Sequence, residues 1–141
     1  MKSIQTEITI DATPETVWGL LTDFAAYPEW NPFITRIEGE PGLGSRLEAD
    51  LQPEGRKKST FKPTVTVVEP GRHFEWLGGM KGLFSGAHRF QLEPVGKGTR
   101  FQHGERFTGL LSGLVMRMIG TQTEAGFVAM NEALKTRAES R

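Results

Sequence analysis

The chain has 141 residues, no cysteine, and 17 basic against 17 acidic side chains, so its formal charge is zero. One domain spanning 1–141 is expected, long enough to bury about 68% of its unfolded surface without covalent staples. The absent cysteines exclude disulfides, thiolate nucleophiles and cysteine-ligated metal sites and fit a reducing compartment, and the balanced charge argues against nucleic-acid or anionic-membrane binding.

The opening Met1-Lys2-Ser3-Ile4-Gln5-Thr6-Glu7 turns polar too early for a signal peptide, and no apolar run approaches membrane-spanning length. The expectation is a cytoplasmic monomer or small homo-oligomer with no membrane insertion. Ile4, Thr6, Ile8 and Ile10 alternate with more polar neighbours, which predicts a first strand over 3–11. Thr13-Pro14-Glu15 then has the chemistry of a helix start: a hydroxyl to cap, a proline at the first position and an acid at the positive end. Val17, Trp18, Leu20 and Leu21 give that short helix its apolar side. Asp23 is placed to cap a second short helix through Tyr27, which Pro28 should disrupt. Trp30-Asn31-Pro32 leads into an extended segment at 33–38, and its position between helix and strand makes Trp30 the candidate for a pocket mouth.

Turn residues then recur at short intervals: Pro41-Gly42-Leu43-Gly44, Pro53-Glu54-Gly55, Glu69-Pro70-Gly71, Lys81-Gly82 and Pro94-Val95-Gly96-Lys97-Gly98. Strands are predicted between them at 46–52, 59–69, 72–80, 84–93 and 99–108, seven in all, and the short connections force antiparallel neighbours. Arg56-Lys57-Lys58 beside a turn is explained as a solvated hairpin tip.

Over 110–138 the spacing changes to helical. Leu111, Leu114, Val115, Met118, Ile119, Ala129, Met130, Ala133 and Leu134 fall on one arc, with Arg117, Thr121, Glu124, Asn131, Glu132 and Lys135 opposite. A helix of about 28 residues, roughly 40 Å long, cannot sustain itself in water and needs a large apolar partner. Gln122 and Gly126 lie near the centre of its arc. Either they roof a space above the sheet, or Gln122 satisfies a buried carbonyl and Gly126 permits close packing. The predicted class is therefore α+β: a seven-stranded curved antiparallel sheet wrapped around a long C-terminal helix, with two short helices after the first strand.

Alternation selects the inner face of each strand: Phe61, Pro63, Val65 and Val67; Phe74, Trp76 and Gly78; Phe84, Gly86, His88, Phe90 and Leu92; Phe101, His103, Glu105 and Phe107. A turn at 95–98 with Pro94 opposite Thr99 pairs Leu92 with Phe101, Phe90 with His103 and His88 with Glu105. A three-residue loop at 81–83 adds Trp76 beside His88. The interior then holds the row Trp76–His88–Glu105, with His103 one step away. Glu105 needs a partner there or must be protonated. His88 and Glu105 satisfy one another, or Arg106 and solvent serve Glu105, or the group is a polar handle for a ligand. A metal would require His88, His103 and Glu105 to converge, and their diagonal placement suits it poorly, so neither metal nor cofactor is expected. The sequence contains no glycine-rich phosphate loop, nucleophile elbow or spaced acid pair.

The run Ile10-Asp11-Ala12-Thr13-Pro14-Glu15-Thr16-Val17-Trp18, then Asp23-Phe24 and Tyr27-Pro28-Glu29-Trp30-Asn31-Pro32-Phe33, resembles the SRPBCC superfamily, together with His103-Gly104-Glu105-Arg106-Phe107-Thr108-Gly109 and the long terminal helix. This is the helix-grip fold of START-type lipid carriers, birch-pollen-allergen-like proteins and small bacterial polyketide cyclase/dehydrase-like proteins. The resemblance implies an elongated apolar cavity between sheet and helix. It transfers no catalytic residue, because members share no single catalytic pattern.

Three functions follow as expectations. The first is a carrier or sensor of a small hydrophobic or aromatic molecule, walled by Phe61, Phe74, Trp76, Phe90, Phe101 and Phe107 with Met118 and Gly126 at the helix, and oriented by His88, His103, Glu105 and Gln122. The second is a cyclase, dehydratase or hydrolase-like enzyme using Glu105 or His88 as general base in the same cavity. The third is an interaction module whose cavity is residual.

Overall fold

The structure is a computed structural model that describes residues 2–53, 55–80 and 82–140. Glu54 and Lys81, within the turns expected at 53–55 and 81–83, lie outside the described residues. Strand β1 (Lys2–Ile10) leads into helix α1 (Pro14–Thr22), a 3-10 turn at Phe24–Ala26 and a one-turn helix α2 (Tyr27–Trp30). There follow β2 (Ile34–Glu38), β3 (Glu48–Leu51), β4 (Ser59–Phe61), β5 (Thr64–Glu69), β6 (His73–Met80), β7 (Phe84–Val95), β8 (Gly98–Thr108) and helix α3 (Ser112–Glu139).

Local chemistry explains the start. The Thr13 hydroxyl accepts from the Thr16 N–H, and Pro14 opens α1, whose Val17, Leu20 and Leu21 are buried. Asp23 caps nothing with its side chain; its N–H bonds the Gly19 carbonyl and closes α1. Pro28 does not end a helix at Tyr27. It stands in the first turn of α2, where the missing N–H costs nothing. The Asn31 side chain then accepts from the N–H groups of Phe33 and Ile34 at 2.9 Å each and turns the chain into β2.

Eight strands replace the seven expected. They form an antiparallel five-stranded sheet, β1-β8-β7-β6-β5, and a three-stranded sheet, β2-β3-β4. The expected strand at 59–69 divides because Pro63 offers no N–H to a ladder. Its carbonyl accepts from Leu47 at 2.8 Å, and a single Arg46–Thr64 bridge stitches the two sheets together at that corner. A bulge between Val65 and Val67 shifts the parity, so Val68, not Val67, sits opposite Phe74 and packs on the core. Pairings on the inner face follow the expected register: Trp76 with His88, His88 with Glu105, Phe90 with His103, Leu92 with Phe101 and Pro94 with Thr99.

Helix α3 lies across β1 and β8, rotated from the expected arc. Its buried residues are Gly120, Thr123, Gly126, Phe127, Met130, Asn131, Leu134 and Ala138, while Leu111, Leu114, Met118 and Ala129 are exposed. The C-terminal half is tied down by Asn131 donating to the Thr6 hydroxyl at 2.8 Å, Lys135 to the Thr9 carbonyl at 2.9 Å, and the Asp11 N–H to Glu139 at 2.8 Å. The N-terminal half carries no side-chain cap. This is the helix-grip architecture, with a solid core at one end and a hollow at the other.

Candidate functional site

The hollow is a cavity of about 610 Å³ between the five-stranded sheet, the first half of α3 and the β2–β4 sheet. Its floor is a place where side chains are missing: Gly78 of β6 faces Gly86 of β7 across the ladder, both on the inner face. Trp76, His88, Glu105 and Phe107 surround that gap, Ile119, Gln122 and Thr123 roof it, and Phe33, Ala49 and Leu51 close the far side. The β3–β4 connection forms the rim. Arg56 there is not merely solvated: its guanidinium donates to the Met118 carbonyl at 2.6 Å, so the rim is latched to α3.

Behind the rim the β2–β4 sheet is held by a charged knot. Arg36 reaches Asp50 at 2.9 Å and Glu48 at 2.6 Å, and Thr60 donates to Asp50 at 2.7 Å. The Arg36 bond, helped by Thr60, holds the Asp50 carboxyl down at about 2.

A line of polar groups runs from β1 through the core to the floor. Thr6 has one hydroxyl proton, donated to the His103 carbonyl at 2.8 Å, so its oxygen accepts from Asn131 Nδ2 at 2.8 Å. Asn131 Oδ1 therefore faces His103 Nδ1 at 2.9 Å. His103 Nε2 in turn meets His88 Nε2 at 2.7 Å, and His88 Nδ1 lies 3.7 Å from Glu105 Oε1. Both imidazoles are buried: Phe127 stacks on His103 with 4.0 Å between ring centres, and Trp76 on His88 with 5.0 Å.

Burial holds both rings neutral. It drives His88 well below its usual value, with the neighbouring His103 adding to the effect. It lowers His103 to about 3, against hydrogen bonds to Asn131 and the Phe127 backbone that pull upward. Glu105 is pushed the other way, up to about 8 by burial, so it carries a proton at neutral pH. Its carboxyl leans over Gly86, in the space a β-carbon there would take. The side chain remains 18% exposed, and it faces the cavity whose wall it forms.

Of the residues singled out by sequence, Phe61, Trp76, His88, Glu105, Phe107 and Gln122 line this cavity. Phe74, Phe90 and Phe101 are fully buried in the solid core instead, where Trp18 of α1 meets Phe74 edge to face and the three rings stack in turn. His103 stands behind His88, sealed by Phe127. Trp30 packs on Tyr27 at 5.3 Å between ring centres and does not reach the mouth. Met118 is 56% exposed on the outer side of α3. Gly126 roofs no space: a β-carbon there would collide with the Phe33 ring, so its role is close packing. Asn131, placed outside by periodicity, belongs to the polar line, and Phe33 and Arg56 also escaped the sequence reading. Asn131 falls on the polar side of the predicted arc and Arg56 in the expected solvated tip, so neither carries a periodic signal, and nothing in the spacing marks Phe33. Among the described residues, no group of histidines and acids is arranged to hold a metal ion.

A family model described as polyketide cyclase / dehydrase and lipid transport matches residues 1–139. No curated protein matches the sequence. Solved structures with the same fold include an aromatase/cyclase from Streptomyces sp. R1128, at 17% identity and a TM-score of 0.80 over 99% of this chain and 94% of that one. A START superfamily protein from Mycobacterium smegmatis, at 20% identity, gives 0.75 over 98% and 97%. A protein from Thermus thermophilus, at 16% identity, gives 0.77 over 99% and 98%. With a family match over nearly its whole length, the chain belongs to the polyketide cyclase / dehydrase and lipid transport family.

Proposed function

We propose that the protein is a container for a small hydrophobic or aromatic molecule, held in the 610 Å³ cavity with its polar group toward Glu105 and His88. The observation that carries this is a floor without side chains of its own at Gly78 and Gly86, walled by Trp76, Phe84 and Phe107, with the one protonated carboxyl of Glu105 laid over Gly86 at its edge. An apolar guest gains about 25 cal/mol for each Å² it removes from water, before ordering costs. The test is thermal denaturation and native mass spectrometry against a panel of fused-ring aromatics and fatty acids. At a guest concentration a hundred times Kd the folded state gains about 2.7 kcal/mol, and the midpoint rises accordingly. Gly78→Leu fills the floor and abolishes the rise; its β-carbon would meet Pro63 at an ordinary 3.5 Å. No response to any panel member in the unaltered protein refutes the proposal.

The Glu105 proton also favours a second reading, in which the same cavity performs cyclisation or dehydration. A carboxyl poised at about 8 can give a proton to a departing hydroxyl, with His88 Nδ1 beside it as acceptor. Conversion of a carbonyl substrate that survives both Glu105→Gln and His88→Ala would remove this reading.

A further inference from the structure

The polar line has a sense of direction, and the direction decides what the cavity selects. A threonine hydroxyl has one proton and a carbonyl has none, so Thr6 must donate to the His103 carbonyl and accept from Asn131. That fixes the amide: Nδ2 to Thr6, Oδ1 to His103. An amide oxygen can only accept, so His103 carries its proton on Nδ1. A neutral ring with Nδ1 protonated has a bare Nε2. The 2.7 Å contact between the two Nε2 atoms is then a hydrogen bond only if His88 donates it. His88 is thereby left with its lone pair on Nδ1, the nitrogen beside the cavity and Glu105.

We infer that Thr6, Asn131 and His103 are positioning residues that hold His88 in its Nε2–H tautomer, so that the bare Nδ1 and the Glu105 carboxyl together select guests bearing a hydroxyl. This rests on the container reading above. The two groups are 3.7 Å apart, too far to bond each other. An oxygen about 2.8 Å from both stands ~2 Å off the line between them, on the cavity side. A phenol, enol or carboxylic acid placed there donates its proton to His88 Nδ1 and accepts the Glu105 proton. An ether or a ketone can accept from Glu105 but leaves the His88 lone pair buried without a donor, which disfavours it. A hydrocarbon satisfies neither group.

Two measurements test this. In protein labelled with nitrogen-15 in its histidines, long-range nitrogen–proton correlations at pH 7 should show Nε2–H for His88 and Nδ1–H for His103; His73→Gln removes the third ring, and the set of signals lost in His88→Gln tells the remaining two apart. In fluorescence titrations at pH 6.5, 2-naphthol should bind about tenfold more tightly than 2-methoxynaphthalene, with naphthalene as the apolar reference. Thr6→Val removes the acceptor that holds the Asn131 amide, which can then turn over and reverse every bond in the line. The naphthol-to-ether ratio should fall to within about twofold of one and return in Thr6→Ser, while Thr66→Val on the outer face leaves it unchanged. His88 protonated on Nδ1, or a ratio near one in the unaltered protein while naphthalene still binds, overturns the inference and leaves the container reading standing. Failure of all three probes to bind overturns the inference, and failure of the fatty acids as well overturns the container reading beneath it.

Discussion

His88 and His103 meet nitrogen to nitrogen at 2.7 Å, in a setting where neither ring can hold a charge. Such a pair makes stability depend on acid. Above about 6.5 the rings are neutral in folded and unfolded chains alike; below it the unfolded chain takes up protons that His103, held near 3, refuses. Stability is therefore lost as pH falls from about 6.5 towards 3. Glu105 acts in the opposite sense, since the folded carboxyl keeps its proton up to about 8 while the unfolded one loses it near 4.5. Its contribution is full below 4.5 and lost as pH rises through 8. Urea midpoints across pH 4 to 9 separate the two. Glu105→Gln should gain on the parent protein as pH rises from 4.5 to 8, by on the order of a few kcal/mol, and should retain the acid limb. A constant difference between the two proteins would contradict the buried, protonated carboxyl.

Gly86 and Glu105 should behave as one unit. A methyl on Gly86 occupies the place of the Glu105 carboxyl, so Gly86→Ala is expected to cost about 1–3 kcal/mol in the parent background. In Glu105→Ala the three atoms nearest that methyl are gone and the same change should cost little. The coupling in this double-mutant cycle, read from denaturant midpoints, is predicted to exceed about 1 kcal/mol.

Gly126 makes the equivalent case at the junction of α3 with β2. Phe33 fills the position a β-carbon would take, and the two aromatic rings Phe33 and Phe127 meet edge to face at 5.5 Å between centres. Gly126→Ala should destabilise by about 1–3 kcal/mol despite its better helix propensity, and Phe33→Leu should recover part of that loss. A stabilising Gly126→Ala would mean that the ring is free to withdraw.

Arg56 predicts a dynamic effect. Its bond to the Met118 carbonyl joins the cavity rim to the half of α3 that lacks the ties to Thr6, Thr9 and Asp11. Arg56→Ala should speed amide exchange over 115–122 several-fold and leave 128–138 unchanged, with global stability shifted by less than about 1 kcal/mol. Equal acceleration along the whole helix would show that the latch is not local.

The inner-face register was legible because two signals agreed. Alternation chose the faces, and the short loops at 95–98 and 81–83 set the offsets, so Trp76, His88 and Glu105 fell into one row. The break at Pro63 was harder to see, since Ser59 through Glu69 reads as one extended run until a partner for the Pro63 carbonyl is known. The rotation of α3 was invisible for a related reason. An average over 28 residues weighed Leu114 and Met118 as core, whereas the helix turns inward the residues that serve the sheet, including polar Asn131. Periodicity counts apolar side chains; it has no means of knowing that a histidine on another strand needs an acceptor.

Two adjoining absences, at positions 78 and 86, determine how much the chamber can admit. A β-carbon at 78 would take up depth and meet only Pro63, at an ordinary 3.5 Å. One at 86 would evict the acid as well as take up room. On the container reading, position 78 adjusts room alone while position 86 adjusts room and polarity together, and neither requires a different scaffold.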